Sequence, residues 1–434
     1  MNNLHCTPSS KSITARPQCI IIGAGIVGIC AGIALVKRGY CVTILDHHPP
    51  GSQTSKGNAG GFGVTEVVPI AGPGVARKIP GWLFDPYGPL AIRWSHFPKL
   101  IPWLRRFHGV SNPEDRDEIA KSLGAILKRC TEDTQNLVDA ARLQHLMTYK
   151  GAITVYRSLK GFRQSEEEWR IRASLGIELE YLDAQRLRQL EPALEHVEHG
   201  WLMPEWFNTI DPHRLSLGLA SYFQRLGGKI VEKKVVDFAV NQGRVSHIED
   251  EQGERSAVDT LLVSAGVWSA ALCQRLGEQV LLESERGYNA TIEDPGIYLD
   301  RQIIFGEEKF VVSNIGNGLR IGGAAEFAGI SAPANYKRSA RLVNIAKTYL
   351  PQLNTQGSQP WMGQRPSTPD SLPVIGGSGL LNNVFHAFGH GHLGLTMAAT
   401  TGELIAGKIN DEAIPIDLKP FSIQRFQSGQ TNRD

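Results

Sequence analysis

The first residues whose types and spacing can do chemistry lie near the amino terminus. Gly23-Ala24-Gly25-Ile26-Val27-Gly28 is followed by Asp46, 18 residues beyond the last glycine. Gly23 permits a tight turn, Gly25 lets backbone approach a pyrophosphate, and Gly28 lets a helix pack on a strand. The carboxylate of Asp46 then stands where it can bond ribose hydroxyls. This is a site for a dinucleotide, and the glycines do not choose between FAD and NAD, which share the same adenosine diphosphate.

The elements needed to position that turn are present. Cys19-Ile20-Ile21-Ile22 reads as a strand buried on both faces, a helix runs from the turn to Lys37, and Cys41–Leu45 reads as a second strand ending in Asp46. The run from Cys19 to Val36 is uncharged for 18 residues, the length at which a membrane-spanning helix is the competing reading. Its four glycines favour the nucleotide turn. Across all 434 residues, 41% are hydrophobic and 46 are glycine, so a core of ordinary size is available in about two to four domain-sized units. The 45 basic against 43 acidic residues leave a formal charge of +2, which gives no basic surface for nucleic acid. Cys6, Cys19, Cys30, Cys41, Cys130 and Cys273 are scattered without metal-ligand spacing, as expected of free thiols in a reducing compartment. His390 and His392 lack a third ligand nearby, so no metal is expected. Met1–Pro17 is polar without an apolar core and reads as a flexible tail on a cytoplasmic protein.

Three more segments share one pattern. They are Thr54-Ser55-Lys56-Gly57-Asn58-Ala59-Gly60-Gly61, then Thr260–Ser269 with Ala265-Gly266-Val267-Trp268, then Trp361-Met362-Gly363-Gln364-Arg365-Pro366 with Phe388-Gly389-His390-Gly391-His392-Leu393-Gly394-Leu395-Thr396. Together, in this order, the chain from about Gln18 to about Ile409 resembles the FAD-dependent D-amino acid oxidase family. The likeness is closer to its bacterial D-amino acid dehydrogenase branch, of the D-hydroxyproline dehydrogenase type. It implies a Rossmann-type FAD-binding domain interleaved with a substrate domain of antiparallel sheet and helices, and noncovalent FAD. Cofactor contacts are then expected at Gly23 to Gly28, Asp46, His47, Thr54, Ser55, Asn58, Ala59, Gly60, Ala265, Gly266 and Trp268. Val235 would meet adenine through its backbone, and Gly391 to Thr396 would turn a helix amino terminus toward the flavin pyrimidine, where charge gathers on reduction.

The same resemblance implies that Arg365 holds a substrate carboxylate, a task that suits a planar, always charged guanidinium. Pairing of Arg365 with Asp370 is the alternative reading. Tyr288 is expected to line the pocket or cap a core, and Glu326 to be a solvated or capping carboxylate. Family members of the glycine oxidase kind carry a second arginine where this chain reads Phe310–Asn314. The implied reaction is hydride transfer from the α-carbon of a D-amino or cyclic imino acid to flavin N5, with electrons passed to a quinone or other acceptor. A glycine- or sarcosine-type oxidase using oxygen, a noncatalytic flavin-binding partner protein and a nicotinamide dehydrogenase are the alternatives. The FAD domain is assigned to 17–75, 200–285 and 360–420, the substrate domain to 76–199 and 286–359, and 1–16 and 421–434 to tails. Glu114–Leu146 reads as helical. Between residues 82 and 106, Trp82, Leu83, Phe84, Trp94, Phe97, Trp103 and Leu104 interleave with Arg93, Lys99, Arg105 and Arg106. That mixture suits peripheral contact with the inner face of a membrane, or else a buried helix pair or dimer face.

Overall fold

The computed structural model describes residues 16–72, 80, 81, 83, 84, 88 and 90–427. Gln18–Ile22 forms strand β1, Ile26–Lys37 helix α1 and Cys41–Asp46 strand β2. The turn after β1 and the first turn of α1 each hold a position that admits no side chain. Gly23 has φ +115°, and a Cβ there would stand 2.3 Å from the Ser264 carbonyl oxygen. A Cβ on Gly28 would stand 2.1 Å from the Gly23 carbonyl oxygen. The uncharged run Cys19–Val36 is thus cut into strand and helix, and among the described residues no helix is long and apolar enough to cross a membrane.

α2 (Phe97–Gly109) and α3 (Pro113–Ala141) share the apolar core of this layer, and the chain then leaves it through β3 (Ala152–Tyr156) and β4 (His199–Met203). It returns through α4 (Pro212–Arg225), β5 (Lys229–Glu232) and β6 (Thr260–Val263). A second excursion supplies β7 (Glu283–Ile292), β8 (Gln302–Phe305), β9 (Phe310–Ile315), β10 (Gly318–Phe327), α5 (Lys337–Tyr349) and β11 (Gln359–Ser367). Finally β12 (Val374–Gly377), β13 (Val384–Phe388) and α6 (Gly394–Ile409) complete the first layer.

The first sheet has the order β5-β2-β1-β6-β13-β12, parallel except for the last pair. α1 is buried against it and against α4 and α6, which requires small residues where helices approach. A Cβ on Gly32 would fall 2.9 Å from the Phe223 ring, and one on Gly402 would fall 2.8 Å from the Cys30 backbone. The second sheet runs β11-β7-β10-β9-β8-β3-β4, continues into Glu180–Asp183, and takes Leu90–Ile92 beside β10. One face is a dry core in which Ala290, Ile292, Phe305, Phe310 and Ile321 meet Leu342, Ala346 and Tyr349 of α5. Strand alternation therefore sends Glu285, Gly287 and Asn289 of β7 to the opposite face.

Several expectations are corrected. β4 and β11 pair within the second sheet rather than standing with the nucleotide layer, because each supplies the ladder partner that β3 and β7 need. The helix expected over Glu114–Leu146 ends at Ala141, where Arg142 turns left-handed with φ 61°. Of the assigned carboxyl-terminal tail, Phe421, Ile423 and Phe426 are buried, and Arg425 holds Asp370 through bonds of 2.8 and 3.3 Å. Residues 1–15 and 428–434 of the tails, and Trp82, lie outside the described residues. Within 83–106, Leu100, Trp103 and Leu104 face the core, and the Trp103 indole donates to the Ser367 carbonyl at 3.1 Å. Arg93 pairs with Glu326 at 2.9 Å. Phe84 and Trp94 remain outside, 72% and 58% exposed, in edge-to-face contact at 5.3 Å.

The helix contact at Gly402 makes a direct prediction. Gly402→Val drives a branched side chain into the Cys30 backbone and is expected to cost about 1–3 kcal/mol. A thermal melt should show a lower midpoint, and an unchanged midpoint would mean that α1 and α6 can separate freely.

Candidate active site

A cavity of about 1450 Å³ lies between the carboxyl ends of the first sheet and the open face of the second. It gathers nearly every residue singled out in the sequence: Gly23 to Val27, Asp46, His47, Thr54, Ser55, Asn58, Ala59, Val235, Ala265, Gly266, Trp268, Tyr288, Arg365 and Gly391 to Thr396. Gly28 and Gly60 stand behind its wall. Gly60 has φ +82°, and a Cβ there would meet the Thr209 carbonyl oxygen at 2.5 Å.

At the nucleotide end, the Asp46 carboxylate accepts the Ala24 N–H at 2.8 Å and the His48 N–H at 2.9 Å. Ser55 Oγ accepts the Ile26 N–H at 3.2 Å. A Cβ on Gly25 would find only that hydroxyl within 4 Å, at 3.7 Å, so the approach to the start of α1 is open. The N-cap residue of α1, Gly25, has no side chain to cap it, and no acidic residue lies in its first turn. α6 likewise has no acidic residue in its first turn. Two positive helix ends thus face one cavity, a fit for a ligand carrying negative charge at a pyrophosphate and again at a ring.

The loop after β2 is held from the second sheet. Arg320 Nη1 donates to the carbonyls of Asn58 and Lys56 at 2.6 and 3.1 Å, Ser313 Oγ to Ala59 at 2.6 Å, and Asn289 Nδ2 to Gly57 at 2.9 Å. Burial pulls the pKa of Arg320 down to about 10. Gly63 N–H donates to Thr396 Oγ1 at 2.9 Å and ties the loop to α6. Arg320, Ser313 and Asn289 are absent from the residues singled out above. The signal for them is strand parity, since Asn289 lies two residues from Gly287 and Arg320 stands opposite both Ser313 and Thr291.

At the other end, Arg365 Nη1 donates to Glu285 Oε1 at 2.9 Å. The guanidinium lies across Gly287, where a Cβ would stand 2.4 Å from Arg365 Cζ. The Trp361 ring likewise lies on Gly57 and Gly363, whose Cβ atoms would each come within 2.0 Å of it. The pairing of Arg365 with Asp370 does not form, because Arg425 takes Asp370. His392 Nδ1 stands 3.8 Å from Glu285 Oε1. Burial lowers the His392 pKa against the opposing pull of Glu285. Burial would raise the Glu285 carboxyl, but His392, Arg365 and Ser367 outweigh it and hold it below the usual carboxylate range.

Glu326 differs from expectation, and Tyr288 stands where a wall residue is expected. Glu326 is 4% exposed rather than solvated, because Arg93 and the Tyr288 hydroxyl satisfy it. Tyr288 reaches the cavity wall, but its hydroxyl donates to Glu326 at 2.5 Å and accepts the Asn335 N–H at 3.1 Å. His390 is bonded to Thr401 at 2.9 Å, and burial pushes its pKa down to about 3. Among the described residues no three His, Cys, Asp or Glu side chains group as metal ligands.

Residues 18–408 match the family model of DAO, the FAD dependent oxidoreductases. A D-amino-acid oxidase of Bradyrhizobium diazoefficiens is 35% identical over 94% of this chain and 98% of its own. A D-amino acid dehydrogenase 2 of Ralstonia nicotianae is 31% identical over 94% of this chain and 100% of its own. Glycine oxidase from Geobacillus kaustophilus superposes with a TM-score of 0.75 at 20% identity, covering 95% of this chain and 99% of that one, a likeness of fold. With two helix ends, an open glycine cradle and a clamped loop around one cavity, the chain belongs to the DAO family of FAD-dependent oxidoreductases.

Proposed function

We propose that this enzyme oxidises the C–N bond of a D-amino or cyclic imino acid to an imino acid, which water then hydrolyses. The observation that carries the reading is Arg365, laid flat on Gly287 in the cavity onto which the amino terminus of α6 opens. A guanidinium so placed anchors an α-carboxylate and removes the rotational freedom of the carbon beside it. FAD, when bound, supplies the hydride acceptor. The first sheet, α1, α6 and the loop from Thr54 to Gly61 would hold the cofactor, with Val235, Ala265, Gly266 and Trp268 at the adenosine end. The second sheet forms the substrate side, where Tyr288 serves as wall. A purely flavin-binding partner protein has no use for a desolvated carboxylate anchor.

The electron acceptor belongs to the same proposal. The exposed Phe84–Trp94 pair, with Lys99, Arg105 and Arg106 exposed nearby, supports a peripheral seat on a membrane and transfer to a quinone. An oxidase of the glycine or sarcosine type would instead reoxidise in air.

The test is anaerobic titration of the flavin-loaded protein with D- and L-amino acid panels, followed by quinone or air. Bleaching by D-substrates and fast recovery with quinone is expected; a flavin that no amino acid bleaches refutes the reading. Arg365→Leu should lower kcat/KM by about 30-fold or more, since removing one partner of a largely buried charge pair costs about 2–5 kcal/mol. Gly287→Ala should raise KM by displacing the guanidinium, with flavin content unchanged. In steady-state assays kcat/KM should rise with pH as the substrate ammonium loses its proton, and a flat profile would argue against a reacting neutral amine.

A further inference from the structure

We infer that Glu285 is the contact for the substrate nitrogen, so that the Arg365–Glu285 pair reads both charges of a zwitterion. This rests on the reading of Arg365 as a carboxylate anchor. Glu285 and Arg365 are direct cross-strand neighbours on β7 and β11, both line the cavity, and the Glu285 side chain is only 8% exposed.

Three observations point to a ligand role rather than a bracket for Arg365. First, the guanidinium is already confined by the floor at Gly287, which leaves it no room to lean toward the sheet. Second, a carboxylate in a desolvated wall is costly, and its charge weakens the pull of Arg365 on any simple anion. A site built for an anion alone is better without it, whereas a ligand that brings an ammonium beside its carboxylate gains from both charges. Third, two other charged residues of the cavity wall are engaged elsewhere. Glu66 pairs with Arg172 at 3.1 Å, and Arg320 holds the carbonyls of Lys56 and Asn58. Glu285 thus supplies the negative charge that stands beside the anchor.

The experiment compares ligands that differ only in the nitrogen: D-alanine with propionate, and D-proline with cyclopentanecarboxylate. Half-saturation is read from flavin absorbance under anaerobic conditions, for the holoenzyme and for Glu285→Gln and Glu285→Asp. Flavin content and thermal midpoint are measured alongside. In Glu285→Gln, half-saturation for the amino and imino acids should rise about 10-fold or more, the scale of a hydrogen bond to a charged group. The plain carboxylates should bind equally well or more tightly, and Glu285→Asp should keep the preference for the nitrogen-bearing ligands. Equal weakening of both members of each pair, or no change in either, overturns the inference while leaving the carboxylate anchor intact. If the native enzyme binds neither member, the reading of Arg365 fails, and this inference fails with it.

Discussion

The pairing register of β7 against β11 is the constraint on which the site depends. It sets Glu285 beside Arg365 and Gly287 beside Gly363 on the face turned away from α5. A slip of one residue would exchange faces, sending the charges into the apolar core and Ala290 and Ile292 into the cavity. That core, built of Phe305, Phe310, Ile321 and the inner side of α5, therefore fixes the charge pair without touching it. Stability of the second sheet and geometry of the anchor are one problem, solved by strand alternation.

The same sheet holds the cofactor loop. Arg320 and Ser313 stand in one cross-strand row and together bind the carbonyls of Lys56, Asn58 and Ala59. Asn289 adds Gly57 from the neighbouring strand. The loop thus inherits its shape from strands more than two hundred residues later, while its other side is tied to α6 through Thr396. The two sides of the cavity are coupled by hydrogen bonds to the loop backbone, and the loop tolerates little change in its course, with no room for a side chain at Gly57 or Gly60.

Legibility in the sequence follows the range of the interaction. The turn from Gly23 to Asp46 could be read because its constraints are local: a glycine with φ +115°, a second packed on the first turn, and a carboxylate closing on the Ala24 N–H. Arg365 and the segment from Gly391 to Thr396 were visible through their motifs. Glu285 was not, since its meaning comes from a partner 80 residues away and from the parity of a strand. Asp370 does not pair with Arg365 because Arg425 claims it, and the same bond draws residues 421–427 into the fold. The aromatic stretch before Arg106 divides for a similar reason. Leu100, Trp103 and Leu104 face inward, and Trp103 finds a carbonyl on β11, whereas Phe84 and Trp94 stay exposed among the described residues.

Charge in the cavity comes from two kinds of source, and they act differently. The amino termini of α1 and α6 carry partial positive charge from the backbone, with no acidic residue in either first turn, and that charge does not titrate; beside α1, Ser55 takes the Ile26 N–H and Asp46 the Ala24 N–H. The side-chain charges are matched more closely: Arg365 meets Glu285, Glu66 meets Arg172, and buried His390 stays neutral. A ligand carrying negative charge near the helix ends would therefore meet a field that does not titrate, whereas Arg365 and Glu285 present a nearly neutral pair of opposite charges to the cavity. His392, just before α6, stands 3.8 Å from Glu285, so the charge pair and that helix end share one region of the cavity, and a change in the balance at Arg365 and Glu285 is felt at both.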